Sequence, residues 1–263
     1  MTNKELYYFA CRCLCLDEHP GFRDEIIRSI SDEAIGQNFV HLCSNHLILP
    51  AIYLKFQEHK ILPELSVELA EFLEEVNLLN LQRNEQILKQ VQKIVLIFNE
   101  HNIFPTLLKG AGNLSDRLYG SISERMMGDI DLLVSEEDYL RAAQLLENDG
   151  YAHNNPDYFD VADMKHYPRL YKKGEPADVE IHRLPVRIEY TKMYNTELID
   201  LEKKAINDDF SYYVLSDKHK VIHNFIHCQL SNSGHSLGVV PIRDLYDLYL
   251  LSKRTNISQA FQN

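Results

Sequence analysis

The sequence lacks several features that define whole classes of protein. No apolar stretch approaches the roughly 18 to 20 residues that a membrane-spanning helix needs, and no internal repeat or low-complexity tract is present. The N-terminus has neither a basic start followed by an apolar run nor the small-residue cleavage site of a secretory signal. We therefore expect a cytoplasmic globular protein with no membrane partner.

Cysteine is scarce, and its placement predicts no disulfide framework. The five cysteines, an odd number, are Cys11, Cys13, Cys15, Cys43 and Cys228. On a helix Cys11 and Cys15 share a face while Cys13 points elsewhere, so these three thiols do not converge on one metal ion. We expect buried or chemically neutral roles, with zinc binding or redox chemistry as the alternative.

Basic residues are too few for a broad nucleic-acid surface. The chain has 27 Lys and Arg against 39 Asp and Glu, a net charge of −12. Sequence-independent binding to phosphate backbones needs clustered positive charge, so this composition argues against it, although a local basic patch is still allowed. With 263 residues and 45% hydrophobic content, the chain can bury one large core or two modest ones.

The most informative stretch is PTLLKGAGNLSDRLYGSISERMMGDIDLLV, residues 105–134. The apolar run 103–108 predicts a buried strand, and the Lys-Gly-Ala-Gly sequence at 109–112 lies where that strand should turn into a helix over 113–119. A second strand is predicted over 129–134, where two aspartates alternate with apolar residues before the run becomes wholly apolar.

Asp129 and Asp131 should face one pocket, because side chains at i and i+2 of a strand share a face about 6.5 to 7 Å apart. Two carboxylates repel each other in a poorly solvated site unless a cation lies between them or one stays protonated. Oxygen ligands favour Mg²⁺ or Mn²⁺. The best third carboxylate is Glu180, which Val179 and Ile181 flank in another predicted strand. The alternative is a chance Asp-x-Asp in an acidic chain.

These motifs resemble the DNA polymerase beta-type nucleotidyltransferases. The resemblance is carried by LLKGAGNL, then Tyr119, then Arg125 with GDIDLLV, then VEIH. Within that superfamily the chain is similar to a bacterial group that has Lys-Gly in place of the usual Gly-Ser and that also resembles the AbiEii-type toxin nucleotidyltransferases. The sequence RDLYDL at 243–248 resembles the helical C-terminal part of this group. Two departures are Gly128, where the toxin-like relatives often have Ser, and Arg183, where an aromatic residue is frequent.

The resemblance implies three catalytic metal ligands, Asp129, Asp131 and Glu180, and a triphosphate-binding turn that contains Lys109 and Gly110. The implied activity is metal-dependent transfer of a nucleoside monophosphate from a nucleoside triphosphate, most simply ATP, to an acceptor hydroxyl, with release of pyrophosphate. The acceptor is a small molecule, a protein or RNA. One alternative is a catalytically silent scaffold of the same fold that binds a nucleotide or a partner protein, and another is a toxin-like enzyme that modifies RNA.

Further contacts follow from the residue types. The backbone N–H groups of Gly110, Ala111 and Gly112, at a helix N-terminus, suit the β- and γ-phosphates. Lys109 could add positive charge there, or be an exposed lysine after a strand. Arg125 is a candidate phosphate contact or a salt-bridge partner of a nearby acid.

Two residues beside Glu180 have open roles. His182 lies on the same strand face, as a candidate acceptor contact or a satisfied hydrogen-bonding histidine. Asp178 is a reserve metal ligand.

The predicted fold class is α/β (α+β), a small mixed-sheet core at 101–188 flanked by helical regions at 1–100 and 189–263. Turn residues at 172–176 predict a hairpin that joins residues 169–171 to the Glu180 strand. Hairpin-linked strands run antiparallel, whereas the strand, helix and strand near Asp129 have the longer connection that parallel strands need.

Apolar periodicity and capping residues predict the helices. They span 4–16, 24–30, 31 or 32 to 43, 51–59, 63–100, 136–148 after a Ser135 cap, 191–206, a helix opened by Ser216, and one opened by Pro241.

His219, His223 and His227 share a face of the Ser216 helix, and we expect them to pack or form hydrogen bonds. A metal site or an acceptor role is the alternative, although only two of the three could reach one ion.

Overall fold

The computed structural model describes residues 1–153, 164–207 and 210–262, and the chain forms two compact units. Unit 1 comprises Met1–Asn84, Tyr119–Met126 and Pro241–Asp247. Unit 2 comprises Glu85–Leu118, Met127–Val240 and Leu248–Asn263. The three-part division at residues 100 and 188 stays a prediction.

The α-helices of the described residues are α1 Asn3–Leu14, α2 Arg23–Ile30, α3 Glu33–Asn45, α4 Leu49–Glu58, α5 Val67–Asn99, α6 Lys109–Ser115, α7 Tyr139–Asn148, α8 Thr196–Glu202, α9 Asp217–Phe225, α10 Gly234–Leu237, α11 Ile242–Ser252 and α12 Ile257–Ala260. Short 3₁₀ turns and one π-helical turn, Ile226–Ser231, join some of them. None of the helices in the described ranges combines the length and apolarity that crossing a membrane requires.

Unit 1 is largely helical, and its sequence begins and ends the helices as expected. Thr2 and Glu5 form a reciprocal capping box at the start of α1, and the Asp32 carboxylate caps α3 by accepting from the Ile35 N–H at 3.0 Å. The core contains a stacked pair of rings, Phe39 and Phe56, with centroids 6.2 Å apart. This helical N-terminal part was predicted.

Unit 2 is organised around a sheet whose seven described strands lie in the order β3-β4-β5-β2-β1-β7-β6. The strands are β1 Thr106–Leu107, β2 Asp129–Leu133, β3 Ala152–His153, β4 Leu170–Tyr171, β5 Asp178–His182, β6 Lys204–Asn207 and β7 Ser211–Val214. The parallel pairs are β2 with β5 and β1 with β7, and the other neighbours are antiparallel. The predicted mixed sheet flanked by helices is therefore confirmed.

The predicted strand directions are right for the hairpin and wrong for β1 and β2. The predicted hairpin is present, since Leu170 of β4 pairs antiparallel with Val179 of β5. However, β1 and β2 are also antiparallel, with Thr106 opposite Leu133, although a helix lies between them. The chain between Ser115 and Asp129 is long enough to bring β2 back in either direction, so the length of the connection did not decide it.

Helix α6 begins earlier than predicted, at Lys109, and ends at Ser115 rather than Tyr119. Lys109 adopts a left-handed backbone conformation, with φ of 47°, which turns the chain sharply after β1. Position 112, in the first turns of α6, requires glycine, because a Cβ there would come within 2.5 Å of the Leu107 carbonyl oxygen. The glycines thus allow a close approach of helix and strand instead of forming a loop before the helix.

Two further helix predictions need correction. The predicted helix over 191–206 is the shorter α8, followed by β6, which pairs antiparallel with β7. The helix predicted from 136 begins at Tyr139, because the Ser135 hydroxyl accepts the Asp138 N–H at 3.1 Å and closes a preceding turn. The Ser216 cap on α9 is confirmed by its bond from the His219 N–H.

Candidate functional site

The register of β2 and β5 brings the predicted carboxylates together. Asp129 lies opposite Asp178, and Asp131 lies opposite Glu180. These four residues share one face of the sheet, since alternate residues of a strand point to the same side. Residues between them, such as Ile130, are fully buried on the other side. We call these four carboxylates and the cationic and imidazole groups that contact them the acid centre.

Lys109 pairs directly with the more buried aspartate. Its Nζ lies 2.6 Å from Asp131 Oδ1 and 3.9 Å from Glu180 Oε2. Asp131 is only 1% exposed. The sharp turn after β1 therefore delivers an ammonium group into the acid centre, so the alternative of an exposed lysine does not apply.

Arg169 is a member of the acid centre that the sequence analysis did not single out. Its Nη2 lies 2.6 Å from Glu180 Oε1 and 3.5 Å from Asp129 Oδ2, and its Nη1 lies 3.9 Å from Asp178 Oδ2. The side chain is 53% exposed, so it covers the carboxylates from the solvent side. The available signal was the predicted hairpin, which places residue 169 beside the Glu180 strand.

Three carboxylates of the centre differ in the direction in which their surroundings shift the pKa. Burial acts to raise the pKa of Asp131, but the Lys109 ammonium and the His182 imidazole outweigh it and hold that pKa well below its usual range. Burial also acts to raise the pKa of Glu180. The hydrogen bond from His182, the Lys109 ammonium and the hydrogen bond from Arg169 outweigh burial and lower that pKa to about 2. For Asp129, burial and then the neighbouring Asp131 raise the pKa. Of these three carboxylates, Asp129 is therefore the one whose negative charge is least stabilised.

His182 lies beneath the carboxylates and is fully buried. Its Nε2 lies 2.9 Å from Asp131 Oδ1 and 3.5 Å from Glu180 Oε2, while its Nδ1 has no hydrogen-bond partner among the described residues. The ring of His166 lies beside it, with centroids 5.0 Å apart. His182 thus contacts both acids, and its predicted role as an acceptor contact stays a prediction.

The centre fits a divalent cation by the chemistry of its donors. Asp131, Glu180 and His182 each offer one ligand atom, and these atoms lie within 4.8 Å of one another. Asp17, Glu58 and His59 form the other such group among the described residues. Asp17 and Glu58 are exposed and His59 is partly exposed, and Lys55 Nζ lies 2.6 Å from Asp17. The first group is the better candidate for a cation site, because its acids are buried and the acid centre around them has an excess of negative charge.

The predicted phosphate contacts are placed in different ways. The Gly112 N–H donates to the Leu108 carbonyl at 3.1 Å, whereas Gly110 and Ala111 occupy the first turn of α6, beside Lys109. Arg125 belongs to unit 1, where its guanidinium lies 3.0 Å from Asp247. The salt bridge that was its alternative role is therefore present, and phosphate binding by these residues stays a prediction.

The three histidines of the C-terminal third do not form a metal-binding group within the described parts of the chain. His223 Nε2 donates to the Pro185 carbonyl at 3.1 Å, and the His227 ring stacks on it with centroids 6.2 Å apart. Burial, followed by the positive charge of Lys109, lowers the pKa of His223 to about 3 and that of His227 to about 2. Both rings are therefore neutral at pH 7, as packed histidines are.

Comparison with known proteins adds a family assignment to this geometry. The model of a family described as uncharacterised nucleotidyltransferase matches residues 33–260. The match covers most of both compact units, including every residue of the acid centre. A comparison with curated proteins found no match.

Proposed function

The chain belongs to this nucleotidyltransferase family, and on that premise we propose that the acid centre transfers a nucleoside monophosphate from a nucleoside triphosphate to an acceptor hydroxyl. The observation that carries the proposal is the pairing of Asp131 with Glu180 on adjacent strands, with Asp129 two residues earlier and Lys109 facing them. The resemblance to the polymerase beta-type superfamily, with Mg²⁺ or Mn²⁺ as cofactor, ATP as donor and a cytoplasmic location, is part of the same proposal.

The proposed reaction is an in-line displacement at the α-phosphorus. The acceptor oxygen bonds to the α-phosphorus, and the bond from that phosphorus to the oxygen bridging to the β-phosphate breaks. Pyrophosphate leaves with the electron pair, and the hydroxyl proton passes to a carboxylate of the acid centre. Divalent cations held by Asp129, Asp131 and Glu180 would supply the positive charge that neutralises the attacking and leaving oxygens.

The residues of the centre have distinct proposed roles. Asp129, Asp131 and Glu180 hold the cations. With a cation on Asp131, the Lys109 ammonium would be free to contact the leaving phosphates. The N–H groups of Gly110 and Ala111, in the first turn of α6, are the proposed backbone contacts of the β- and γ-phosphates.

Arg169 also has a proposed role in the metal-free protein. Its contacts with Asp129 and Glu180 offset their repulsion until the cations bind. Because the same carboxylate oxygens would then coordinate the cations, we expect the guanidinium to shift toward the solvent side.

A thermal-shift screen tests the donor site. The four nucleoside triphosphates are each added with Mg²⁺ or Mn²⁺ to the wild type, to Asp129→Asn and to Asp149→Asn. A ligand at a hundredfold excess over its Kd stabilises by about 2.7 kcal/mol, which for a chain of this size raises Tm by about 5 to 10 °C.

We expect one nucleotide to stabilise the wild type only when the metal is present, and Asp129→Asn to lose that shift. Asp149→Asn is the matched control, because Asp149 is a carboxylate of unit 2 that pairs with Lys172 outside the acid centre. No shift with any pair of nucleotide and metal would favour the silent scaffold, and a shift retained in Asp129→Asn would place the donor site elsewhere.

A further inference from the structure

The position of His182 on β5 directs its side chain into the acid centre. His182 follows Glu180 by two residues on β5, so the two side chains share the face that carries the acid centre. Its partner on β2 is the apolar Leu133, and on the other side of β5 it lies opposite His166. The Nε2 atom contacts Asp131. The side chain is fully buried, which makes an imidazole without a functional contact costly.

The distances in the centre are those of adjacent ligands around one ion. For an octahedral ion with metal–ligand bonds near 2.1 Å, neighbouring ligand atoms lie about 3.0 Å apart. His182 Nε2 is 2.9 Å from Asp131 Oδ1 and 3.5 Å from Glu180 Oε2. Asp129 is not part of this group of three ligand atoms, although its carboxylate lies on the same face.

We propose that His182 Nε2 is a direct ligand of the metal held by Asp131 and Glu180, and that the centre therefore selects Mn²⁺ over Mg²⁺. This inference rests on the proposed function only for the existence of a cation at the centre. An imidazole nitrogen is a good ligand for first-row transition ions, whereas Mg²⁺ prefers oxygen ligands and gives up its water reluctantly. A ligand set of two carboxylates and one buried imidazole therefore changes the metal preference expected from aspartate and glutamate alone.

The chemistry of the ring is consistent with this role. The Nε2 lone pair is available for a cation when the ring proton is on Nδ1, and a ring in that form cannot donate to Asp131. In the competing arrangement the Nε2–H donates a hydrogen bond to Asp131 and only orients that carboxylate. The two arrangements predict different magnetic spectra, because only the first bonds a nitrogen to the metal.

The test uses the full-length chain, stripped of metal and titrated with Mn²⁺ alone, so that no nucleotide or acceptor is needed. Pulsed electron paramagnetic resonance on the Mn²⁺ complex detects a directly bonded ¹⁴N nucleus, and labelling with ¹⁵N-histidine identifies it as imidazole. Competition with Mg²⁺ gives the metal preference. We expect an imidazole nitrogen signal in the wild type and a preference for Mn²⁺ of at least about tenfold.

Two variants assign the signal. His182→Gln should lose the nitrogen coupling and most of the preference for Mn²⁺. His166→Gln is the matched control and should keep both, because His166 is the neighbouring imidazole and its Nδ1 already bonds to the Tyr167 carbonyl. Circular dichroism establishes that each variant is folded, and if His182→Gln does not fold, the labelled wild type together with His166→Gln still decides the question.

Bound Mn²⁺ without nitrogen coupling in the wild type would overturn the inference, as would no binding at millimolar Mn²⁺ or a coupling that persists in folded His182→Gln. The outcome is separable from that of the nucleotide screen. Nitrogen coupling without any nucleotide-dependent shift would retain the metal site and reject the transfer reaction. A nucleotide-dependent shift without nitrogen coupling would do the reverse.

Discussion

Each compact unit contains a group of charged side chains with a buried carboxylate at its centre. The two groups are built from similar residues and differ in how their charges are balanced. In unit 1, Arg125 and Arg243 face Asp244 and Asp247, so two cations meet two carboxylates. In unit 2, the acid centre has four carboxylates against Lys109 and Arg169, which contact them, and Lys165, which lies near enough to interact with Asp131 and Glu180. The negative charge is still in excess.

The charged group of unit 1 is also held by several hydrogen bonds. The Arg125 Nε lies 3.1 and 3.0 Å from the two oxygens of Asp247, and the Tyr119 hydroxyl donates to that carboxylate at 2.8 Å. The Arg125 Nη1 donates to the Met126 carbonyl at 2.8 Å. A buried network with matched charges and saturated bonds stabilises one arrangement of the chain, whereas the excess negative charge of the acid centre provides a place for a cation.

An aspartate-to-asparagine substitution can be made in each of the two groups. The largest effect on activity is expected at Asp131, the most buried carboxylate of the acid centre. Asp131→Asn removes one cation ligand and the partner of Lys109 while it keeps the shape of the side chain. We expect pyrophosphate release from the nucleotide found in the thermal-shift screen to fall at least about 1000-fold. The far-ultraviolet circular dichroism spectrum should be unchanged, and a variant with wild-type turnover would contradict the proposed roles.

The same substitution in unit 1 should affect folding more than chemistry. Asp247→Asn leaves the buried Arg125 with Asp244, at 3.7 Å, as its one anionic partner among the residues that the structure describes. Removing one partner of a buried pair typically costs 3 kcal/mol or more, so we expect the free energy of unfolding to fall by about 3 kcal/mol. Urea denaturation followed by circular dichroism measures the loss.

The control for this prediction is Asp149→Asn, at an exposed ion pair, which should change the free energy of unfolding by no more than about 0.5 kcal/mol. If Asp247→Asn were as stable as the control, the balanced network would not be the stabilising element that its bonds suggest. The two groups of charged side chains would then differ in their charge balance alone.

The two groups also differ in how far the sequence predicted them. The carboxylates of the acid centre were found because strands β2 and β5 carry acids that alternate with fully buried residues such as Ile130 and Val179, a pattern that fixes which side each residue faces. The partner of Arg125 could not be found in this way. Asp247 lies 122 residues away along the chain, and no local pattern encodes such a distance.

The parts of the site that the sequence did not predict have a common physical cause. Arg169 contacts the acids through pairing between strands, and the left-handed conformation of Lys109 depends on the close packing of α6 on β1. Local pattern predicted that a helix follows β1, but tertiary packing decided that it begins at Lys109. The same holds for β6, which pairs with β7 where helical spacing had suggested a continuous helix.

The smallest expected effect concerns the pH dependence of folding, and it has opposite signs at two neighbouring carboxylates. Burial and the nearby Asp131 raise the pKa of Asp129 in the folded protein. A raised pKa contributes stability below the unfolded value, about 3.9 for aspartate, and this contribution is lost as the pH rises through the folded value. At pH 7 the charged Asp129 therefore destabilises the metal-free protein, and Asp129→Asn should be more stable than the wild type by about 0.5 to 1 kcal/mol.

This gain should shrink as the pH falls toward 4, because the wild-type carboxyl then takes up the proton that relieves the repulsion. Glu180 has a lowered pKa, about 2, so its contribution is present above the unfolded value and is lost as the pH falls through the folded one. Glu180→Gln should accordingly be less stable than the wild type at pH 7, with a difference that also closes in acid. Urea unfolding of both variants at a series of pH values measures the two signs, and equal signs would mean that Asp129 is stabilised by its neighbours as Glu180 is.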